Sequence, residues 1–307
     1  MDPTAPNPPS TARTPTSAEL AAVLHALGHD DGAVEDLWLD FDGGRVHLDV
    51  HRAAAPRAVV VFHPGSGSYA RFYCGLGQRL AASGFHMLGI DRPGHGWSDG
   101  PRGDGSIDEA LALTAQVVAY ARAQFGLPVV LMGSSLGGLL CGFAVLAGQR
   151  PDLAVAHNFL IPGRLVSMRL RARAVARWRR RPYPLHKLVH GLARLSRVPA
   201  LQAYLAAGRD PQAAWTLSPR LVASLFGHNP PRPAGPTAPL IVLSGSRDPA
   251  IPAWASRWFL RWSGARDTRF VEVPGAGHLL FHDDLERSWE RLVPLLNEGL
   301  GLHAAPN

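Results

Sequence analysis

The sequence predicts an α/β fold, a mostly parallel central sheet with helices on both faces, interrupted once by a helical insertion. Three observations carry this expectation. Short β-branched runs alternate with segments of helical apolar spacing along most of the chain. Those runs are apolar throughout, as in strands buried on both faces. The alternation stops over residues 161–238 and then resumes. With 307 residues and 46% hydrophobic content, the chain can bury one large core. No run approaches the roughly 20 apolar residues needed to cross a bilayer.

Residues 1–17, MDPTAPNPPSTARTPTS, have no apolar stretch of the secretory type, and their Pro, Thr and Ser content predicts a disordered tail. Residues 18–27 predict a short helix ended by Gly28. Strands at 37–41 and 46–50 flank Asp42-Gly43-Gly44, a hairpin signal. The run AVVVF at 58–62 is the first strand with two buried faces. A helix is expected at 69–83 and a strand at 85–90. The helix at 106–124 opens on Ser106 with Glu109 three residues on, a capping box. Its stripe is Ile107, Leu111, Thr114, Val118 and Ala121. A strand at 128–132 leads into a helix whose apolar face holds Leu136, Leu139, Leu140, Phe143 and Ala147; a strand follows at 153–160. Residues 161–238 contain several short helical patterns, no convincing strand, and a closing proline-rich stretch from Asn229. A strand at 240–243, a helix from about Ala253 and a strand at 269–273 resume the rhythm. The last helix opens at Asp283, with Glu286 placed for a second capping box. The expected organisation is a tail (1–17), a sheet domain (18–160 with 239–302) and a helical cap or lid insertion (161–238).

The net charge of +7 suggests nucleic acid at first sight, but its distribution argues otherwise. Residues 153–209 carry no Asp or Glu and hold eleven arginines and Lys187, the only lysine in the chain. That segment exceeds the whole excess, so the remainder is net acidic and no nucleic-acid partner is expected. The cysteines, Cys74 and Cys141, lie in apolar helical stretches, which predicts buried, reduced thiols and a cytoplasmic setting.

The chemistry concentrates in Gly133-Ser134-Ser135-Leu136-Gly137, a G-x-S-x-G motif between a strand and a helix. A serine in so tight a turn makes its neighbours two positions away crowd each other, and glycine relieves that crowding. Ser135 has Gly133 and Gly137 at those places; Ser134 would have Met132 and Leu136. Ser135 is therefore the candidate nucleophile, at a helix N-terminus that favours developing negative charge. A serine hydroxyl needs a base and the base an orienter. His278 lies in a glycine-rich loop between the last strand and the last helix, and Asp248 directly follows a strand. Both should leave the C-terminal edge of the parallel sheet, where ligands bind in such folds. A tetrahedral intermediate also needs two donors for its oxyanion. The backbone N–H of Leu136 is one. Gly65, in the loop after the first buried strand, is the expected second, because Pro64 has no N–H.

These motifs together resemble the α/β-hydrolase superfamily, and within it the monoacylglycerol-lipase or serine-aminopeptidase-like branch. His63-Pro64-Gly65-Ser66-Gly67-Ser68-Tyr69-Ala70-Arg71-Phe72 is similar to the HGxGxxxxRY oxyanion stretch, Asp91 to Ser98 to the DxxGHGxS loop, and Gly133 to Gly138 to the GxSxGG elbow. Pro64 departs from the family's glycine and stiffens that loop. The resemblance implies the α/β-hydrolase fold, a Ser135–His278–Asp248 triad, and a cap that covers the site and selects substrates.

The expected function is hydrolysis of small carboxylic esters, acylglycerol-like or otherwise, through an acyl-enzyme, with no metal and no organic cofactor. Thioester hydrolysis, acyl transfer and carbon–carbon cleavage could use the same residues; a catalytically silent ligand receptor is the rival from another class. In the insertion, Leu165, Met168, Ala172 and Val175 form a narrow apolar stripe with Arg169, Arg173, Arg177 and Arg180 largely opposite. This basic amphipathic pattern is that of a solvated helix face or of one that touches anionic membrane or anionic substrate.

Overall fold

A computed structural model describes residues 14–189 and 191–302. Its strands are β1 (Glu35–Phe41), β2 (Gly44–His51), β3 (Ala58–His63), β4 (Phe85–Ile90), β5 (Val129–Ser134), β6 (Leu153–His157), β7 (Tyr183–Pro184), β8 (Thr216–Leu217), β9 (Leu240–Gly245) and β10 (Thr268–Val273). Its helices are α1 (Ala18–Ala26), α2 (Cys74–Ala82), α3 (Ile107–Phe125), α4 (Leu136–Leu146), α5 (Val166–Trp178), α6 (Leu185–Leu188), α7 (Pro199–Ala207), α8 (Pro219–Gly227), α9 (Ala253–Ser263) and α10 (Leu285–Gly299).

Eight strands form one sheet in the order β1-β2-β4-β3-β5-β6-β9-β10. The pairs β1–β2 and β2–β4 are antiparallel and the other five neighbour pairs are parallel. All of β3 is buried, and its side chains alternate between two cores: Val59 and Val61 join one, Val60 and Phe62 the other. Period-two alternation with both faces covered is why these strands read as continuous apolar runs. This is the α/β-hydrolase fold that the motifs imply. The turns after β3, β5, β9 and β10 gather at one edge of the sheet.

Several local expectations change. The helix expected at 69–83 is a 3-10 turn at Ala70–Tyr73 running into α2. Strand β6 stops at His157 because Asn158 adopts a left-handed φ of 65°, which no strand accommodates. Within 161–238, where no strand was expected, β7 and β8 pair antiparallel through Tyr183–Leu217 and Pro184–Thr216. The capping box at Ser106 forms its first half, with Ser106 Oγ accepting from Glu109 N–H, but the Glu109 carboxylate pairs with Arg220. The box at Asp283 is absent: Asp283 accepts from Ser196 Oγ at 2.8 Å and from the Arg197 N–H, while Glu286 bonds Arg79 at 2.6 Å. Of the expected tail, residues 1–13 lie outside the described residues. Its last four do not hang free: Thr14 N–H donates to Asp36 at 2.7 Å, and Ser17 caps α1.

Thr14 reaches a buried ion network at the β1–β2 end of the sheet. His47 Nδ1 lies 2.9 Å from Asp91 Oδ2 and Nε2 lies 2.7 Å from Asp36 Oδ1. Arg71, fully buried, donates to both oxygens of Asp49 at 2.9 and 2.8 Å and to Asp36 at 3.1 Å. Burial would lower the His47 pKa, but hydrogen bonds to Asp36 and Asp91 outweigh it and raise it to about 9. His47 is thus a structural cation at neutral pH.

Candidate active site

The turn between β5 and α4 holds Ser135 at φ 53° and ψ −115°, a strained region for a residue with a side chain. The surrounding glycines explain how the strain is tolerated. A Cβ on Gly133 would sit 2.3 Å from the Gly137 backbone, and one on Gly137 would sit 2.0 Å from the His63 carbonyl oxygen. The crowding inferred from the motif is present, and it extends to the next strand: a Cβ on Gly138 would meet the His157 carbonyl oxygen at 2.3 Å.

The three residues expected to act together meet at this turn. His278 Nε2 lies 3.2 Å from Ser135 Oγ, and His278 Nδ1 lies 2.8 Å from Asp248 Oδ2. The other Asp248 oxygen accepts the N–H groups of Ala250 and Ile251 at 2.7 and 2.9 Å, so the carboxylate cannot rotate away. Burial would raise its pKa; the hydrogen bond and charge of His278 outweigh that and hold it below the ordinary carboxylate value.

Directly after Ser135, Leu136 is the first residue of α4, where backbone N–H groups lack helical partners. Gly65 is engaged differently from expectation: its N–H donates to Tyr73 Oη at 3.1 Å. The loop is fastened from behind by Arg92, whose two terminal nitrogens donate to the carbonyls of Pro64 and Gly65 at 2.7 and 2.9 Å. Burial lowers the Arg92 pKa to about 10, which still leaves it charged at neutral pH. His63 bonds Thr114 Oγ1 at 2.8 Å and orders the loop from the rear. Asp91 accepts Ala70 N–H at 2.7 Å and Trp97 N–H at 3.1 Å, a scaffolding position.

Sequence reasoning missed several neighbours. Ser134, set aside as nucleophile, points to His157 Nδ1 at 3.1 Å. His157 packs its ring 5.5 Å from that of His278, and burial lowers its pKa to about 3, which keeps it neutral. Donor atoms of His157, Asp248 and His278 lie within 4.8 Å of one another, as do those of Asp36, His47 and Asp49. In both groups the closest donors already hydrogen-bond each other. Asp210 is the other unforeseen residue. One of its oxygens accepts from both Tyr69 and Tyr204 at 2.6 and 2.7 Å, joining α7 to the loop that follows β3. None of these residues stands in a spacing that would have singled it out.

Ser135 and His278 open into a pocket. Its far wall is Leu185, Val189, Leu192, Tyr204, Leu205 and Trp215, all from 161–238, and its near wall includes Phe72, Tyr73 and Leu279. The lining is dominated by carbon, with polar groups clustered around Ser135. No helix among the described residues is long and apolar enough to cross a membrane.

Comparison with known proteins agrees with this fold. The family model for serine aminopeptidase S33 matches residues 54–285. A monoacylglycerol lipase of Mycolicibacterium smegmatis is 28% identical over 247 residues, which cover 74% of this chain and 83% of that protein. The crystal structure of the Paleococcus ferrophilus monoacylglycerol lipase superposes with a TM-score of 0.63 at 26% identity, covering 83% of this chain and 99% of that one. A soluble variant of the Saccharomyces cerevisiae monoglyceride lipase, solved with a substrate analogue, reaches a TM-score of 0.71 at 18% identity, covering 89% and 97% of the two chains. At that identity it speaks to the fold alone.

Proposed function

The chain belongs to the serine aminopeptidase S33 family of α/β-hydrolases, and from that premise we propose how it acts as a carboxylic ester hydrolase. Ser135 Oγ attacks the ester carbonyl carbon while His278 Nε2 takes the hydroxyl proton. Asp248 holds the imidazole in position and stabilises its charge. The carbon–oxygen bond to the leaving alcohol then breaks, and His278 returns the proton to that alcohol. Water attacks the acyl-enzyme by the same route in reverse, releasing the acid and restoring the serine. The Leu136 N–H faces the developing oxyanion, and Gly65 supports the other side of the same hole. The observation that carries this reading is the unbroken line from Asp248 through His278 to Ser135 at the mouth of an apolar pocket.

Residues 161–238 act as the cap in this proposal, with its apolar wall receiving the acyl chain. Each buried methylene is worth about 0.8 kcal/mol. Turnover of p-nitrophenyl and glycerol esters should therefore rise by about fourfold in kcat/KM per added methylene until the pocket is full. A flat series would place the acyl chain elsewhere. A fluorophosphonate probe should label the wild type and Ser134→Ala, and should leave Ser135→Ala unlabelled. Labelling of Ser135→Ala would end the assignment. The two free, buried cysteines support a reducing, cytoplasmic setting.

A second proposal concerns α5. Its inward face is the expected stripe, with Ala172 buried and Met168 and Val175 half-buried against α8. Its outward face bares Val166 (61% exposed), Leu170 (57%) and Trp178 (73%) among Arg169, Arg173 and Arg177. That combination suits transient contact with an anionic bilayer. Co-sedimentation with vesicles should require anionic lipid and weaken with salt; binding indifferent to both would remove the proposal.

A further inference from the structure

We propose that the Tyr73 hydroxyl is a further catalytic group, a hydrogen-bond donor to the oxyanion, and that Gly65 acts through it. The inference rests on the reading of Ser135 as nucleophile and deepens it.

Tyr73 lines the pocket beside Gly65, Ser134 and Ser135. Gly65 is close to the nucleophile: a Cβ built on it would lie 3.6 Å from Ser135 Cβ and 3.1 Å from Tyr73 Oη. A carbonyl oxygen arriving over Ser135 therefore meets the phenol oxygen at the place where the Gly65 N–H was expected to serve. That N–H is already donated to Tyr73 Oη. Accepting a hydrogen bond polarises a hydroxyl and makes it a stronger donor. That bond does not use the phenol's own proton, and the hydroxyls of Ser134 and Ser68 are its neighbours at rest.

The ring is also held in place, which an oxyanion donor requires. Phe62, Phe72 and His282 pack against it at centroid distances of 4.7, 5.6 and 4.6 Å. Burial pushes its pKa up, so the hydroxyl stays protonated across the working range. Arg92 fixes the carbonyls of Pro64 and Gly65, which keeps the Gly65 N–H aimed at the phenol. Pro64 fits the same picture. It stiffens a loop whose task here is to hold one donor against Tyr73 rather than to flex around the substrate.

The test is Tyr73→Phe in the full chain, which keeps the ring and its packing. Loss of one oxyanion donor should lower kcat by about a hundredfold, with KM changed by less than about threefold. Binding of a trifluoromethyl ketone should weaken by the same factor as kcat/KM. A kcat within about threefold of wild type, or a fall in kcat with ketone binding unchanged, would overturn the proposal. If the variant does not fold, the wild type still decides. In a crystal of its phosphonate adduct the phosphoryl oxygen should lie about 3 Å from Tyr73 Oη and from Leu136 N. An oxygen seated on Gly65 N, with Tyr73 Oη beyond about 4 Å, would refute it. A wild type that neither hydrolyses esters nor takes the phosphonate would sink the Ser135 reading itself. Hydrolysis with Tyr73→Phe unaffected sinks only the role of Tyr73.

Discussion

Two histidines in this molecule hold an aspartate on Nδ1 at nearly the same distance, 2.8 Å for His278–Asp248 and 2.9 Å for His47–Asp91. They differ at the other nitrogen. His278 Nε2 faces a serine hydroxyl at 3.2 Å beside an open pocket; His47 Nε2 faces a second carboxylate, Asp36, at 2.7 Å in a sealed interior. Two carboxylates make a fixed cation. One carboxylate and one hydroxyl leave Nε2 of His278 with no second charge beside it. An Asp–His pair is therefore not a catalytic signature until its remaining nitrogen is examined.

The largest effect should separate the two pairs outright. His278→Ala should reduce ester turnover by at least about ten-thousandfold while the urea midpoint moves little. Asp248→Asn should cost about as much, since it deprives the imidazole of its tautomer and charge partner. A variant of either that retained a tenth of wild-type turnover would erase the distinction.

His47→Gln reverses the pattern. It removes the cation between Asp36 and Asp91 and leaves Arg71 as the cation beside Asp36, so stability should fall by about 3–5 kcal/mol. Turnover per folded molecule should fall far less than in the His278 variant. Urea unfolding combined with active-site titration measures both quantities. Equal loss of activity and unchanged stability would show that the sealed pair takes part in the chemistry.

The smallest effect is in pH. The His47 pKa is raised to about 9 when folded, against an ordinary value of 6.5. Its contribution, about 3 kcal/mol, is fully present below the ordinary value and is lost as pH rises through the folded value. The wild-type urea midpoint should therefore decline between about pH 6.5 and pH 9, and this decline should be missing from His47→Gln. A decline of the same size in both would assign it to other groups.

The sheet, its insertion and the Ser135–His278–Asp248 line were legible because they rest on local chemistry. Apolar runs mark strands buried on both faces, and the paired glycines around Ser135 mark a turn with no room for a Cβ. What stayed hidden depends on distant side chains. Nothing in the sequence says that Gly65 N–H meets a phenol eight positions on, or that Asp210 accepts from Tyr69. The Asp283 capping box failed for the same reason, as Ser196 and Arg197 offered that carboxylate stronger partners. The two-residue strands β7 and β8 are too short for any periodicity, and only their pairing reveals them.

The carboxylate of Asp210 has a consequence for traffic through the pocket. Phenols from the floor and from the roof share one of its oxygens, and the residue is 1% exposed. Parting them would leave that buried oxygen without its two donors, so α7 is tied to the loop after β3 rather than hinged away from it. The pocket wall at Tyr204 is accordingly held in place when a guest enters.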